Sequence, residues 1–140
     1  MLKKIIFSIF LLVTLTCCGT PNISTIVSPT YIISTQKPIC IDPPIDDKFN
    51  LEPVVVTELE SLGFIVKRNS ENCDLIAKFV YDYNWDIKDY VENFVIQIID
   101  AKSKQILMKA SFHDTYFHHW YVEEAVQKTF FELRKQIKSH

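Results

Sequence analysis

Glycine is nearly missing from this chain: two residues in 140, Gly19 and Gly63. A phosphate-cradling loop needs several residues free to take positive φ, so glycine-rich nucleotide loops are excluded. No block of Lys or Arg occurs, and the formal charge is −2. Nucleic acid, which asks for a clustered basic face, is therefore not an expected partner. No apolar run reaches the roughly 20 residues needed to cross a bilayer as a helix. No strong metal-ligand spacing or tight nucleophile turn is present, so neither a cofactor nor an enzymatic reaction is expected.

What is present begins with an address. Lys3 and Lys4 precede an apolar run, Ile5 to Leu15, broken only by Ser8 and Thr14. Two cysteines follow at once. This is the order of a secretory signal. Leu15-Thr-Cys-Cys18 resembles the cleavage box of bacterial lipoproteins, with Cys18 as the acceptor and Cys17 as the alternative. That resemblance implies a thioether-linked diacylglyceryl group on the cysteine sulfur. More than one acyl chain is needed for stable anchoring. Gly19 in place of Asp after the acceptor implies the outer membrane, facing the periplasm. The expected organisation is a signal peptide over 1–17, a lipidated N-terminus and tether over 18–36, and a small domain over 37–140. The signal carries away two lysines and no acid, so the remainder is more acidic than the full chain.

The remainder is long enough for one domain with a real core. At 48% hydrophobic and 13% aromatic, the full chain is not a disordered one. Cys40 and Cys73 remain for that domain. An oxidising compartment permits a disulfide between them, closing a loop of about 33 residues worth about 3–4 kcal/mol on chain-entropy grounds. The alternative is two buried free thiols.

Thr20 to Gln36 is rich in Ser and Thr, with Pro21 and Pro29 as breakers, and reads mostly as tether. Tyr31-Ile-Ile33 is a candidate edge strand. Pro38 to Ile41 reads as the first strand, stopped by Asp42-Pro-Pro44. Leu51 to Leu62 reads as a helix, with Leu51, Val55, Leu59 and Leu62 on one stripe. Asn50 is its expected N-cap, Pro53 sits in the first turn, and Gly63 suits the left-handed C-terminal position. Phe64 to Arg68 reads as a strand parallel to the first.

Asp74 to Trp85 alternates with period two, and Leu75, Ala77, Phe79, Tyr81, Tyr83 and Trp85 are expected to face the core. Tyr90 to Asp100 is apolar on both sides and so central. Ala101 to Lys104 reads as a hairpin loop. Ile106, Met108, Ala110 and Phe112 form the inner face of the next strand. Trp120 to Ile137 is a helix with Val122, Val126, Phe130, Leu133 and Ile137 as its stripe. The fold class that follows is α+β, a two-layer sandwich with a mixed sheet of about five strands and two helices on one face.

Several features together resemble a family of small, uncharacterised proteobacterial envelope lipoproteins, the Sbal-type lipoprotein family. They are Ile39-Cys-Ile-Asp-Pro43, Leu59-Glu-Ser-Leu-Gly-Phe64, Cys73, Tyr83-Asn-Trp-Asp-Ile-Lys-Asp-Tyr90 and Ala110. Pro43 stands where Asn is usual. The likeness covers a little over half the chain. It implies this strand order, an envelope location and the cysteine pair, and it implies no reaction.

The candidate functional residues are few. Trp85, Asp86, Tyr90 and Trp120 have the chemistry of a binding lip, since Trp and Tyr combine apolar area with a polar handle. The competing reading of the first three is a hairpin corner, with Trp85 on the core edge and Asp86 capping the turn. Phe117, Trp120, Tyr121 and Phe131 form a partner patch if exposed together, or else cover the sheet edge. His113, Asp114, His118 and His119 match no strong zinc pattern. Asp46 with Asp47, or Glu123 with Glu124, are weak acid–base pairs. Cys40 and Cys73 are poor nucleophile candidates in an oxidising compartment. The expected partners are the membrane, through the acyl chains, and another envelope protein or wall component. An aromatic-lined cleft holding a lipid or small molecule is the alternative, and a metal-dependent enzyme is the third reading.

Overall fold

The computed structural model of the chain describes residues 21–28, 37–67, 72–85, 89–114 and 121–139. In order these form β1 (Asn22–Val27), β2 (Pro38–Asp42), α1 (Glu52–Ser61), β3 (Ile65–Lys67), β4 (Leu75–Trp85), β5 (Asp89–Asp100), β6 (Ile106–His113) and α2 (Val122–Ser139). The six strands make one sheet in the order β1-β6-β5-β4-β2-β3. β2 pairs parallel with both β3 and β4, and every other pairing is antiparallel. This is the expected two-layer α+β architecture, with one strand more.

The extra strand is β1. It lies inside the stretch read as tether, and it pairs along its whole length with β6. Its Ser and Thr content mimics a linker, but Ile23, Thr25, Ile26 and Val27 are β-branched and suit a pleated surface. The candidate strand at Tyr31–Ile33 and the proposed lipidation cysteines lie outside the described residues.

One apolar core lies between the sheet and the helices. On α2, Val126, Phe130 and Leu133 are buried on the predicted stripe, with Ala125 and Thr129 beside it. The Thr129 hydroxyl donates to the Ala125 carbonyl at 2.7 Å, which satisfies the one polar side chain in this buried face. Val55 and Leu59 bury the matching face of α1. Gly63 takes φ 92°, as expected at the end of α1. Arg134 of α2 reaches Glu58 Oε2 at 3.1 Å and Ser61 Oγ at 2.7 Å on α1, tying the helices together at their surface.

Two bulges reset which residues face inward. Asp82 pairs with Asn93 but Tyr83 pairs with Val91, so Glu92 is the extra residue of β5. Val91 thereby joins Phe94, Ile96 and Ile98 on the core face. Ile98 pairs with Met108 but Ile99 with Ile106, leaving Leu107 as the extra residue of β6. Leu107 is buried there, and Ile106, expected in the core, is exposed. Met108, Ala110 and Phe112 are buried as expected.

The cysteines are bridged. A Cys40–Cys73 disulfide joins β2 to the chain just ahead of β4, with α-carbons 5.7 Å apart.

Candidate functional site

The site is built where the loop between β2 and α1 folds over the far end of the β4–β5 hairpin. Asn50 takes φ 51°, a region that Asn tolerates better than most residues, and its N–H donates to the Asp47 carbonyl at 2.9 Å. That turn brings the Asp47 side chain under the start of α1. Its Oδ1 accepts the Leu51 N–H and its Oδ2 the Glu52 N–H, each at 3.0 Å. Asp47, rather than the expected Asn50, therefore satisfies the first orphan donors of the helix.

Asp47 Oδ1 also accepts the Tyr81 hydroxyl at 2.9 Å, and that hydroxyl in turn accepts the Phe49 N–H at 3.2 Å. Burial pushes the Tyr81 phenol up to about 12. The Asp47 carboxylate adds to the shift and the Phe49 N–H opposes it. Tyr81 is thus a fixed, protonated donor. The Phe49 ring meets the Tyr83 ring edge-on, with centroids 5.2 Å apart. Lys48 Nζ lies 4.1 Å from the centre of the Tyr83 ring and 3.1 Å from Asp89 Oδ1.

Tyr81, Tyr83 and Trp85 alternate along the helix-side face of β4. They were expected to be core residues together, but only the inner end of β4 is covered. Tyr81 is half-buried, Tyr83 is 43% exposed and Trp85 is 71% exposed. The 11 residues of β4 outrun the helix layer, and the loop at 43–51 covers only the first two rings. Trp85 pairs with Asp89 across the hairpin, and its N–H donates to Asn84 Oδ1 at 2.9 Å. Tyr90 is half-buried opposite Asn84. Trp85 and Tyr90 are thus brought to one hairpin end, while Asp86 and Trp120 lie outside the described residues. Sequence reasoning missed Lys48 and Phe49, which reach the site through a loop that carries no periodic signal, and Asp89, which opens β5.

The other candidates are engaged elsewhere. His113 Nδ1 donates to Asn93 Oδ1 at 2.6 Å, because the Asn93 amide nitrogen is itself a donor to Asp82 at 3.3 Å. This row lies on the open face of the sheet. Among the described residues no group of three or more His, Cys, Asp or Glu could hold a metal. His118 and His119 lie outside them. Glu123 and Glu124 occupy the first turn of α2, where the helix dipole favours acids. Of the candidate aromatic patch, Tyr121 and Phe131 are exposed and the other two rings lie outside the described residues. A cleft of about 450 Å³ between the helices is lined by Glu58, Glu124, Gln127, Lys128, Phe131 and Arg134. Among the described residues no helix is long and apolar enough to cross a membrane.

The chain matches no protein-family model and no curated protein. Several solved structures share its fold. The PelC dodecamer from Paraburkholderia phytofirmans is 9% identical, with a TM-score of 0.60 over 84% of this chain and 97% of that one. A PDZ domain protein from Parabacteroides distasonis is 16% identical, with a TM-score of 0.58 over 81% of this chain and 35% of that one. A DUF4136 family protein from Bacteroides thetaiotaomicron is 8% identical, with a TM-score of 0.53 over 86% of this chain and 95% of that one. At these identities the likeness is one of fold.

Proposed function

We propose that this protein is a lipid-anchored envelope lipoprotein, acylated on Cys18 after removal of residues 1–17, held at the outer membrane and facing the periplasm. Its work is binding rather than catalysis. It holds another envelope protein or a wall component through the aromatic end of the β4–β5 hairpin. The observation that carries this reading is the pair Tyr83 and Trp85, successive on one strand face and exposed, with the first ring backed by Phe49 and Lys48. Rigid aromatic rings at a surface lose little side-chain entropy on binding and are common anchors of interfaces. An open ledge of this kind favours a macromolecular partner over a small ligand, which needs a concave, apolar site.

A photo-reactive residue placed at position 85 of the full chain, in cells, tests the reading. A discrete cross-linked species is expected, weakened when Cys18→Ala removes the anchor. A photo-reactive residue at Lys104, in the hairpin loop at the other end of β5, is not expected to give it. Equal labelling from both positions would sink the binding role. Failure of the chain to incorporate labelled palmitate would separately sink the lipoprotein assignment.

A further inference from the structure

The two outer strands of the sheet are protected unequally. β3 is three residues long and ends in Lys67, two of the devices by which edge strands avoid unwanted pairing. β1 has six residues, Asn22-Ile-Ser-Thr-Ile-Val27, with no charge, no proline and no bulge in its register with β6. The Ser28 N–H donates to the Leu107 carbonyl at 2.8 Å. Backbone direction alternates along a strand, so Asn22, Ser24 and Ile26 address β6 as Ser28 does. Ile23, Thr25 and Val27 then turn their N–H and C=O groups outward. No strand among the described residues meets that edge.

The outward row is self-complementary. With a two-fold axis at Thr25, each Thr25 lies opposite its counterpart, Ile23 lies opposite Val27, and Ser24 opposite Ile26. Every outward donor then meets an outward acceptor. Ile23 and Val27 are partly buried against the core, so their pairing extends the helix-side apolar layer across the junction. Ile26 is 66% exposed on the open face and gains a neighbour there. Beside the edge lies a groove lined by Pro21, Ile23, Lys128, Phe131 and Glu132, which carries a charge of each sign. That balance suits a second copy arriving in the opposite sense better than a strongly charged partner. We propose that β1 pairs antiparallel with β1 of a second copy of this chain, joining two sheets into one. This goes beyond the binding role of the hairpin end and does not depend on it.

Cysteine pairing across the junction tests both the contact and its register. Opposed strand residues have α-carbons about 4.5–5.5 Å apart, within disulfide reach. Full-length Ser24→Cys and Ile26→Cys chains, expressed together with different tags, are expected to form a disulfide-linked heterodimer. Either chain alone is expected to give at least about tenfold less dimer, since 24 does not face 24 in this register. Equal yields from all combinations, or no heterodimer, would overturn the proposal. In detergent, the wild-type chain is expected to sediment as a dimer and Thr25→Pro as a monomer. The N–H lost at position 25 points outward, so the β1–β6 ladder is preserved. If Thr25→Pro fails to form the Cys40–Cys73 disulfide, Ile26→Lys replaces it, placing charge on the edge while keeping the backbone. A wild-type monomer, or edge variants that stay dimeric, would refute the pairing.

Discussion

The Tyr81 hydroxyl donates to the Asp47 carboxylate at 2.9 Å, and this contact fastens the loop ahead of α1 to the long hairpin. The same carboxylate takes two backbone N–H groups at the start of α1. Removing it frees a helix end and a half-buried hydroxyl together. Asp47→Ala is expected to destabilise by about 2–3 kcal/mol, and Tyr81→Phe by about 0.5–1.5 kcal/mol. Urea denaturation of both single variants and the double variant measures it. Additive losses would show that the two side chains do not act as one unit.

One of the six tyrosines should titrate late. Tyr81 is raised from the ordinary 10.0 to about 12, so the folded protein holds that proton more tightly than the unfolded chain. The associated stability is complete below about pH 10 and is lost as pH rises through about 12. Tyrosinate absorbance against pH should show a late step that Tyr81→Phe abolishes. A titration in which every tyrosine ionises together near 10 would contradict the buried hydroxyl.

Asp100 moves the other way. The Ser103 N–H and hydroxyl, with the Lys102 N–H, hold its carboxyl below the usual carboxylate range in the hairpin turn between β5 and β6. A lowered pKa gives stability that is present above the ordinary Asp value and lost as pH falls through the lowered one. Asp100→Asn is therefore expected to flatten the acid side of a plot of urea midpoint against pH. An unchanged acid limb would mean that the turn does not hold the charge in solution.

Reduction of Cys40–Cys73 is expected to cost about 3–4 kcal/mol. The bridge pins the parallel strand β2 to the chain entering β4. Thermal melts with and without reductant, compared with a Cys40→Ser, Cys73→Ser double variant, give the value. A melt indifferent to reductant would refute it.

Phe130 and Phe131 are neighbours with opposite surroundings. The first is fully buried, while the second is 52% exposed with Lys135 Nζ 4.3 Å from its ring centre. Phe130→Ala is expected to cost about 3–5 kcal/mol, and Phe131→Ala less than about 1 kcal/mol. Comparable losses in urea would mean that α2 is rotated from the orientation described.

Elements with strong local periodicity were legible in the sequence. The stripe of α2, the alternation of β4 and the apolar β5 each follow from short-range pattern. What escaped prediction was decided by distant contacts. β1 looks like linker in isolation, and its partner β6 lies most of the chain away; Ser24 and Ser111, hydrogen-bonded at 2.7 Å, are 87 residues apart. The cap on α1 comes from Asp47 because a left-handed Asn50 folds the loop back, which spacing alone does not reveal. Bulges at Glu92 and Leu107 shift the parity of β5 and β6, and of the inner face read for β6 only Ile106 is displaced from the core. In the candidate site, Trp85 and Tyr90 could be picked out by residue type. Exposure of Trp85 could not, since it depends on how far the helices extend over β4.

The position of β1 also sets how high the domain can stand. An extended chain gains at most ~3.6 Å per residue, so with Cys18 acylated the first α-carbon of the strand lies within about 14 Å of the anchored one. On the proposed acylation, a domain on so short a leash stays close to the lipid surface. Asn22 shares its row of the sheet with His113, Asn93 and Asp82, so the aromatic hairpin end rises from the end of the sheet at which β1 begins. With the anchor proposed above, Trp85 meets its partner, whether protein or wall component, close to the bilayer surface.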